Sequence, residues 1–132
     1  MIVVDSSAII AILEREPDAP IFAAAVRKAE RLLISAVSVH ECGTVLRRRH
    51  GMAAADRLWR FVEDENDFEI VPFDESQARV ALIAFDRYGK GIDSNARLNL
   101  ADCAAYALAK STNCPLRFKG NDFTHTDAES VL

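Results

Sequence analysis

Four carboxylates stand where an acid can work on a ligand: Asp5, Glu41, Asp102 and Asp122. Asp5 closes the apolar run Met1-Ile2-Val3-Val4, and Asp122 follows the weaker run Pro115-Leu116-Arg117-Phe118. Glu41 and Asp102 fall in the first turns of two helix-like stretches that would begin at the same edge of a sheet. Carboxylates gathered in one apolar-walled cleft repel, and they partly protonate unless a cation sits among them. An all-oxygen donor set selects a hard ion, magnesium or manganese, over zinc. Such an ion takes one or two carboxylates plus a substrate phosphate, polarises that phosphate and helps to generate hydroxide for in-line attack.

Each acid also has a plainer role. Aspartate is common at strand-to-helix turns, which covers Asp5. Glu41 is the third residue after Ser38, the spacing of a capping box. Asp102 suits a helix N-terminus through the macrodipole and through pairing with Asn99. Singly these roles suffice; four acids at one sheet edge favour the metal.

The elements that must position them alternate between strand and helix. An Ile/Val run without polar alternation suits a strand buried on both faces. Ser6-Ser7 opens a helix through Leu13, ended by Glu14 to Pro17. Asp18-Ala19-Pro20 starts another, with proline at an early helical position and Ile21, Phe22, Ala25, Val26 and Ala29 at helical spacing. Leu32 to Val37 reads as the second strand, and Ser38 opens a helix that runs to His50 and stops at Gly51. Residues 52 to 66 form an amphipathic helix with Leu58, Phe61 and Val62 inward and Trp59 flanking. Phe68 to Val71 is a short third strand, and Asp74 with Gln77 caps a helix carrying Val80, Leu82, Ile83 and Phe85 up to Tyr88. Residues 89 to 97, with two glycines, read as a mobile surface loop. The alanine-rich stretch Leu98 to Lys110 is a strong helix former. The alternation predicts an α/β/α three-layer sandwich with a mostly parallel central sheet, in which ligands bind beyond the carboxyl ends of the strands.

Composition bounds the class. With 132 residues, 50% hydrophobic and 27% charged, the chain is expected to form one soluble domain, residues 1–132. No apolar run approaches the length of a membrane span and Met1 leads straight into a strand, so a cytoplasmic location is expected. Cys42, Cys103 and Cys114 lie far apart without C-x-x-C spacing, which suggests neither disulfides nor zinc. A net charge of −4 argues against a generally basic nucleic-acid binder, leaving local patches: Arg47 to Arg49, and Arg87, Lys90 and Arg97 around the glycine loop. None of the three histidines is needed for the chemistry.

Four segments together carry a resemblance: Ile2-Val3-Val4-Asp5-Ser6-Ser7-Ala8, Ser35-Ala36-Val37-Ser38-Val39-His40-Glu41, Leu98-Asn99-Leu100-Ala101-Asp102-Cys103-Ala104-Ala105-Tyr106-Ala107-Leu108-Ala109, and Lys119-Gly120-Asn121-Asp122-Phe123-Thr124-His125-Thr126-Asp127. The chain resembles the PIN-domain ribonucleases, most closely the VapC toxins of bacterial toxin–antitoxin pairs. The resemblance implies a magnesium- or manganese-dependent endoribonuclease whose metal is bound by Asp5, Glu41 and Asp102, with Asp122 completing the pocket. Asp122 ranks ahead of Asn121 and Asp127 for that last place. Ser6 is placed to hydrogen-bond Asp5 or a water in the pocket, and helix capping accounts for a serine there equally well. Arg117 departs from the apolar residue usual at its position, which predicts an exposed edge strand.

The resemblance also implies an RNA substrate, a homodimer and a cognate antitoxin; the negative cavity of Asp5, Glu41, Asp102 and Asp122 suits an arginine or lysine at the end of the segment that partner presents. The helices at 21–29 and 52–66 carry more apolar surface than one sheet face needs, which permits the dimer. The alternative from another class is a catalytically idle PIN scaffold that binds RNA or protein. A phosphatase of the haloacid dehalogenase type would need an aspartate at position 7, where this chain has Ser7.

Overall fold

The structure, a computed structural model, describes residues 1–130. Its centre is a four-stranded sheet of β1 (Ile2–Val4), β2 (Leu32–Ser35), β3 (Glu69–Val71) and β4 (Leu116–Arg117), in the order β3-β2-β1-β4. All three pairings are parallel, with Ile2 opposite Leu32, Val3 opposite both Leu33 and Leu116, and Ile34 opposite Ile70. Successive strand residues point to opposite faces. Ile2, Val4, Leu32 and Ile34 enter a core with Ile9, Phe22, Leu46 and Leu58, while Val3 and Leu33 enter a second core with Ala84, Leu108 and Phe123. Two cores on two faces account for the unbroken apolar strands, and they give the three-layer sandwich expected from the sequence.

Helices α1 (Ser6–Leu13), α2 (Ala19–Lys28), α3 (Ala36–His50) and α4 (Met52–Trp59) cover the first face. A π-helical turn, Arg60–Glu65, continues α4 and buries Phe61 and Val62. Helices α5 (Glu75–Tyr88) and α6 (Leu100–Thr112) cover the second. The chain steps outward from β1 to β3, then returns across α5 and α6 to β4 on the other side of β1. The strand order therefore reverses at β1 and β4, where α/β sheets place their ligand crevice.

Several boundaries differ from expectation. Strand β2 stops at Ser35, whose hydroxyl accepts from the Val37 N–H at 3.2 Å and caps α3. Ser38 is thus one turn inside the helix and caps nothing, so the capping-box role for Glu41 falls away. Leu82 and Ile83 face outward at 70% and 61% exposure, and α5 instead turns Gln77, Ala81 and Ala84 inward. Those small residues meet the alanines of α6, so the two helices approach closely. The segment 89–97 is tied rather than loose: Lys90 N–H reaches the Leu98 carbonyl and Leu98 N–H reaches the Tyr88 carbonyl, both at 2.8 Å. Asp93 closes its tip by accepting from the Asn95 and Ala96 N–H groups.

Arg117 does lie on an edge strand, but it is buried, with its guanidinium 4.8 Å from the centroid of Phe22. The outer side of β4 is covered by the chain's own end, where Leu116 N–H bonds the Glu129 carbonyl at 2.7 Å and Leu116 bridges to Ser130. All three cysteines are buried and unpaired with one another. Burial pushes the Cys42 thiol up to about 12 and Cys103 to about 11, which leaves both inert.

Candidate active site

Asp5 leaves the middle of the sheet, where its N–H bonds the Arg117 carbonyl at 2.9 Å, and it becomes the N-cap of α1. Its Oδ2 accepts from the Ser7 N–H at 3.0 Å and from the Ser7 hydroxyl at 2.6 Å. Its Oδ1 is buried with no hydrogen-bond partner among the described residues. An ionised carboxylate in that setting lacks half its solvation. Glu41 lies in the second turn of α3, half-buried, and its Oε1 accepts a short bond from the Ser6 hydroxyl. The two serines therefore divide the work differently from expectation: Ser7, not Ser6, holds Asp5, because consecutive helical residues point about 100° apart.

Asp102 opens α6 in a reciprocal capping box with Asn99, its Oδ2 accepting from the Asn99 N–H at 2.9 Å and its N–H donating to Asn99 Oδ1 at 2.8 Å. Asp122 sits exposed in the segment leaving β4. Burial pushes the Asp5 carboxyl up to about 6 against the two bonds from Ser7, and repulsion from Glu41 and Asp122 adds to the rise. Burial likewise lifts Asp102 to about 7, opposed by Asn99 and reinforced by Asp5, Asp122 and Glu41. The structure thus brings all four acids into one electrostatic neighbourhood.

That neighbourhood fits a hard divalent cation. Its donors are carboxylate oxygens, one of them an orphaned buried Oδ1, and without a counter-charge two of the acids are pushed toward their protonated forms. Among the described residues no three ligating side chains close on a common point as a finished cage. Magnesium keeps several waters and takes one or two carboxylates, so it requires none.

A PIN-domain family model matches residues 2–129. Ribonuclease VapC28 of Mycobacterium tuberculosis is 42% identical over 130 residues, spanning 98% of this chain and 97% of that one. The chain belongs to the PIN-domain family, among the VapC ribonucleases. Ribonuclease VapC30 of the same organism is 40% identical over 129 residues, 98% of this chain and 97% of its own. Among solved structures, Mycobacterium tuberculosis VapC20, described as a sarcin-ricin loop cleaving toxin, superposes with a TM-score of 0.82 at 16% identity, covering 99% and 98% of the two chains. FitAcB from Neisseria gonorrhoeae gives 0.74 at 22% identity, covering 100% and 97%. At those identities the structures establish the PIN fold of this chain.

Within that PIN fold the remaining candidates separate. Asp127 is engaged elsewhere: it accepts a short bond from the Tyr106 hydroxyl, pairs with Lys110 Nζ at 3.0 Å and lies 3.4 Å from the Tyr88 hydroxyl. Arg49 and His50 both bind Glu14 at 2.7 Å, which takes them out of the basic cluster. Arg47 and Arg48 instead line a groove of about 410 Å³ with His40 and Trp59. Sequence reasoning missed Ser7, Lys119 and Tyr106. Lys119 donates its N–H to Ser7 Oγ at 2.9 Å, across a separation of 112 residues that no local pattern reveals.

Proposed function

We propose that this VapC-family chain, residues 1–132 acting as one PIN domain, is a metal-dependent endoribonuclease and the toxin of a toxin–antitoxin pair. Asp5, Glu41, Asp102 and Asp122 hold magnesium or manganese in this reading. Its main support is the buried, unpartnered Oδ1 of Asp5 in the field of Glu41 and Asp122, with Asp102 in turn feeling Asp5. A divalent ion held by these residues would supply charge against the scissile phosphate and would lower the pKa of a bound water toward neutrality. The chain's own residues do the positioning. Ser7 fixes the rotation of Asp5, Ser6 that of Glu41, and Asn99 that of Asp102, so three carboxylates need no reordering when an ion and a phosphate arrive. The acids are all intact, which favours an enzyme over an idle scaffold.

RNA phosphates outside the centre would meet Arg47 and Arg48 in the groove that begins at Ala36 and His40 beside Glu41, with the half-exposed Trp59 offering a face for a base. The antitoxin would enter the acid pocket with an arginine, which can pair with two carboxylates and compete with the metal. An antitoxin partner as such takes support from a superposable toxin–antitoxin complex of Klebsiella pneumoniae, TM-score 0.74 at 16% identity. Outward apolar residues Phe73, Leu82 and Leu100 beside α5 and α6 offer a homodimer contact, in addition to Ile21 and Met52 on the helices singled out in the sequence. A cytoplasmic location belongs to this reading; among the described residues no helix is long and apolar enough to cross a membrane.

The test is cleavage of a mixed RNA pool with magnesium, with manganese and with excess chelator. Wild type should cut only with a metal, and Asp5→Asn and Asp102→Asn should lose at least ~100-fold in rate while keeping their fold. Full cleavage in chelator, or by either folded variant, would sink the metal reading.

A further inference from the structure

Segment 119–127, which carries Asp122, is fastened at both ends. At the near end, Lys119 N–H bonds Ser7 Oγ, and Lys119 Nζ reaches Glu16 at 2.7 Å and Asp18 at 3.2 Å in the turn between α1 and α2. At the far end, Asp127 is held by Tyr106 and Lys110, four residues apart on one face of α6. Between the ends Phe123 is buried against Phe118, with ring centroids 5.0 Å apart. Two successive turns fill the rest: the Thr124 hydroxyl bonds the Asn121 carbonyl, and the Thr126 hydroxyl bonds the Phe123 carbonyl, each at 2.7 Å.

Tyr106 follows Asp102 by one helical turn. The helix that presents one pocket acid therefore also holds the segment that presents another. Asp127 is charged and occupied: the bond from Tyr106, then Lys110, draws its carboxyl down to about 2. Its contacts are Tyr106 and Lys110 of α6 and, at 3.4 Å, the Tyr88 hydroxyl at the end of α5, so it is placed to act through the segment and not as a ligand.

We propose that Asp127 is a positioning residue, which fixes Asp122 against Asp102 by clasping segment 119–127 to Tyr106 and Lys110 of α6. The inference rests on the metal reading above. Partners that orient a metal ligand from outside commonly change affinity by roughly 10–100-fold when removed.

The test is equilibrium binding of Mn²⁺ to the full chain, read from the paramagnetic resonance signal of the free ion, without RNA. Asp127→Ala should weaken binding about tenfold, and Asp127→Asn, which keeps an acceptor for Tyr106, should recover most of that loss. Tyr106→Phe, which removes one hydroxyl, should weaken binding in the same direction and serves where Asp127→Ala does not fold. On an Asp122→Asn background, Asp127→Ala should add less than about twofold, because both changes remove one interaction. Unchanged Mn²⁺ affinity in folded Asp127→Ala would overturn the proposal, as would losses that multiply in the double variant and so mark Asp127 as an independent ligand. A wild type that binds no Mn²⁺ would overturn the metal reading itself, and the clasp with it.

Discussion

Asp5 and Asp102 show the tension that defines the centre at the scale of single residues. Each is buried, each is held by a neighbour that favours its charged form, and each is nevertheless pushed up, to about 6 and about 7. A folded value above the ordinary 3.8 means that the native state keeps a proton the unfolded chain has released. The contribution to stability is therefore fully present below about pH 4 and is lost as pH rises through about 6 for Asp5 and about 7 for Asp102. For Asp5 that contribution is of order 3 kcal/mol. Metal-free protein should melt at progressively lower temperature from about pH 4 to about pH 7 and level off above that, and Asp5→Asn should flatten the slope. A wild-type melting temperature that rose over this range would contradict the assignment. Ser6 holds Glu41 by a short bond, so Ser6→Ala should leave Glu41 unoriented, reducing cleavage about tenfold with a small change in melting temperature.

Elements explain which parts of the site were legible in the sequence. Asp5 could be read because an apolar strand had to end there, and Asp102 because Asn99 and an alanine-rich helix set its register. Glu41 was placed on the right helix for a mistaken reason. Two serines three residues apart both suit a cap, and the sheet's need to end β2 at Ser35 decided between them. Leu82 and Ile83 misled because helical spacing does not say which face is inward; the alanines of α6 select small partners. Ser7 with Lys119, and Tyr106 with Asp127, join distant parts of the chain and left no local signature. Gly51 was read correctly as a helix stop, and the backbone gives the reason. It joins α3 to α4 at φ +91°, ψ −178°, a region open almost only to glycine. Gly51→Ala should cost about 1–3 kcal/mol in chemical denaturation with metal affinity unchanged. A stability equal to wild type would show that the junction relaxes.

The whole molecule presents an acidic centre at the reversal of strand order, flanked by apolar outer faces that this chain leaves open. Leu82 and Leu100 are 70% and 75% exposed on the face opposite α1–α4, and with Phe73, Ala78, Ala81, Phe85 and Cys103 they line one hollow. In the dimer reading this contiguous apolar patch is the contact. Leu82→Glu should convert a dimer into a monomer in light scattering at high micromolar concentration, and wild type should be dimeric under the same conditions. Monomeric wild type would remove the dimer reading and leave the site untouched. All larger features depend on one claim, that the four acids together bind a divalent ion. The most direct measurement is the number of protons released when Mn²⁺ binds, obtained by titration calorimetry at pH 6.5 in two buffers of different ionisation enthalpy. With Asp5 near 6 and Asp102 near 7, binding should release about one proton at pH 6.5, almost none at pH 8.5, and markedly fewer at pH 6.5 in Asp102→Asn. Binding that releases no protons at pH 6.5, or releases the same number in Asp102→Asn, would contradict the account.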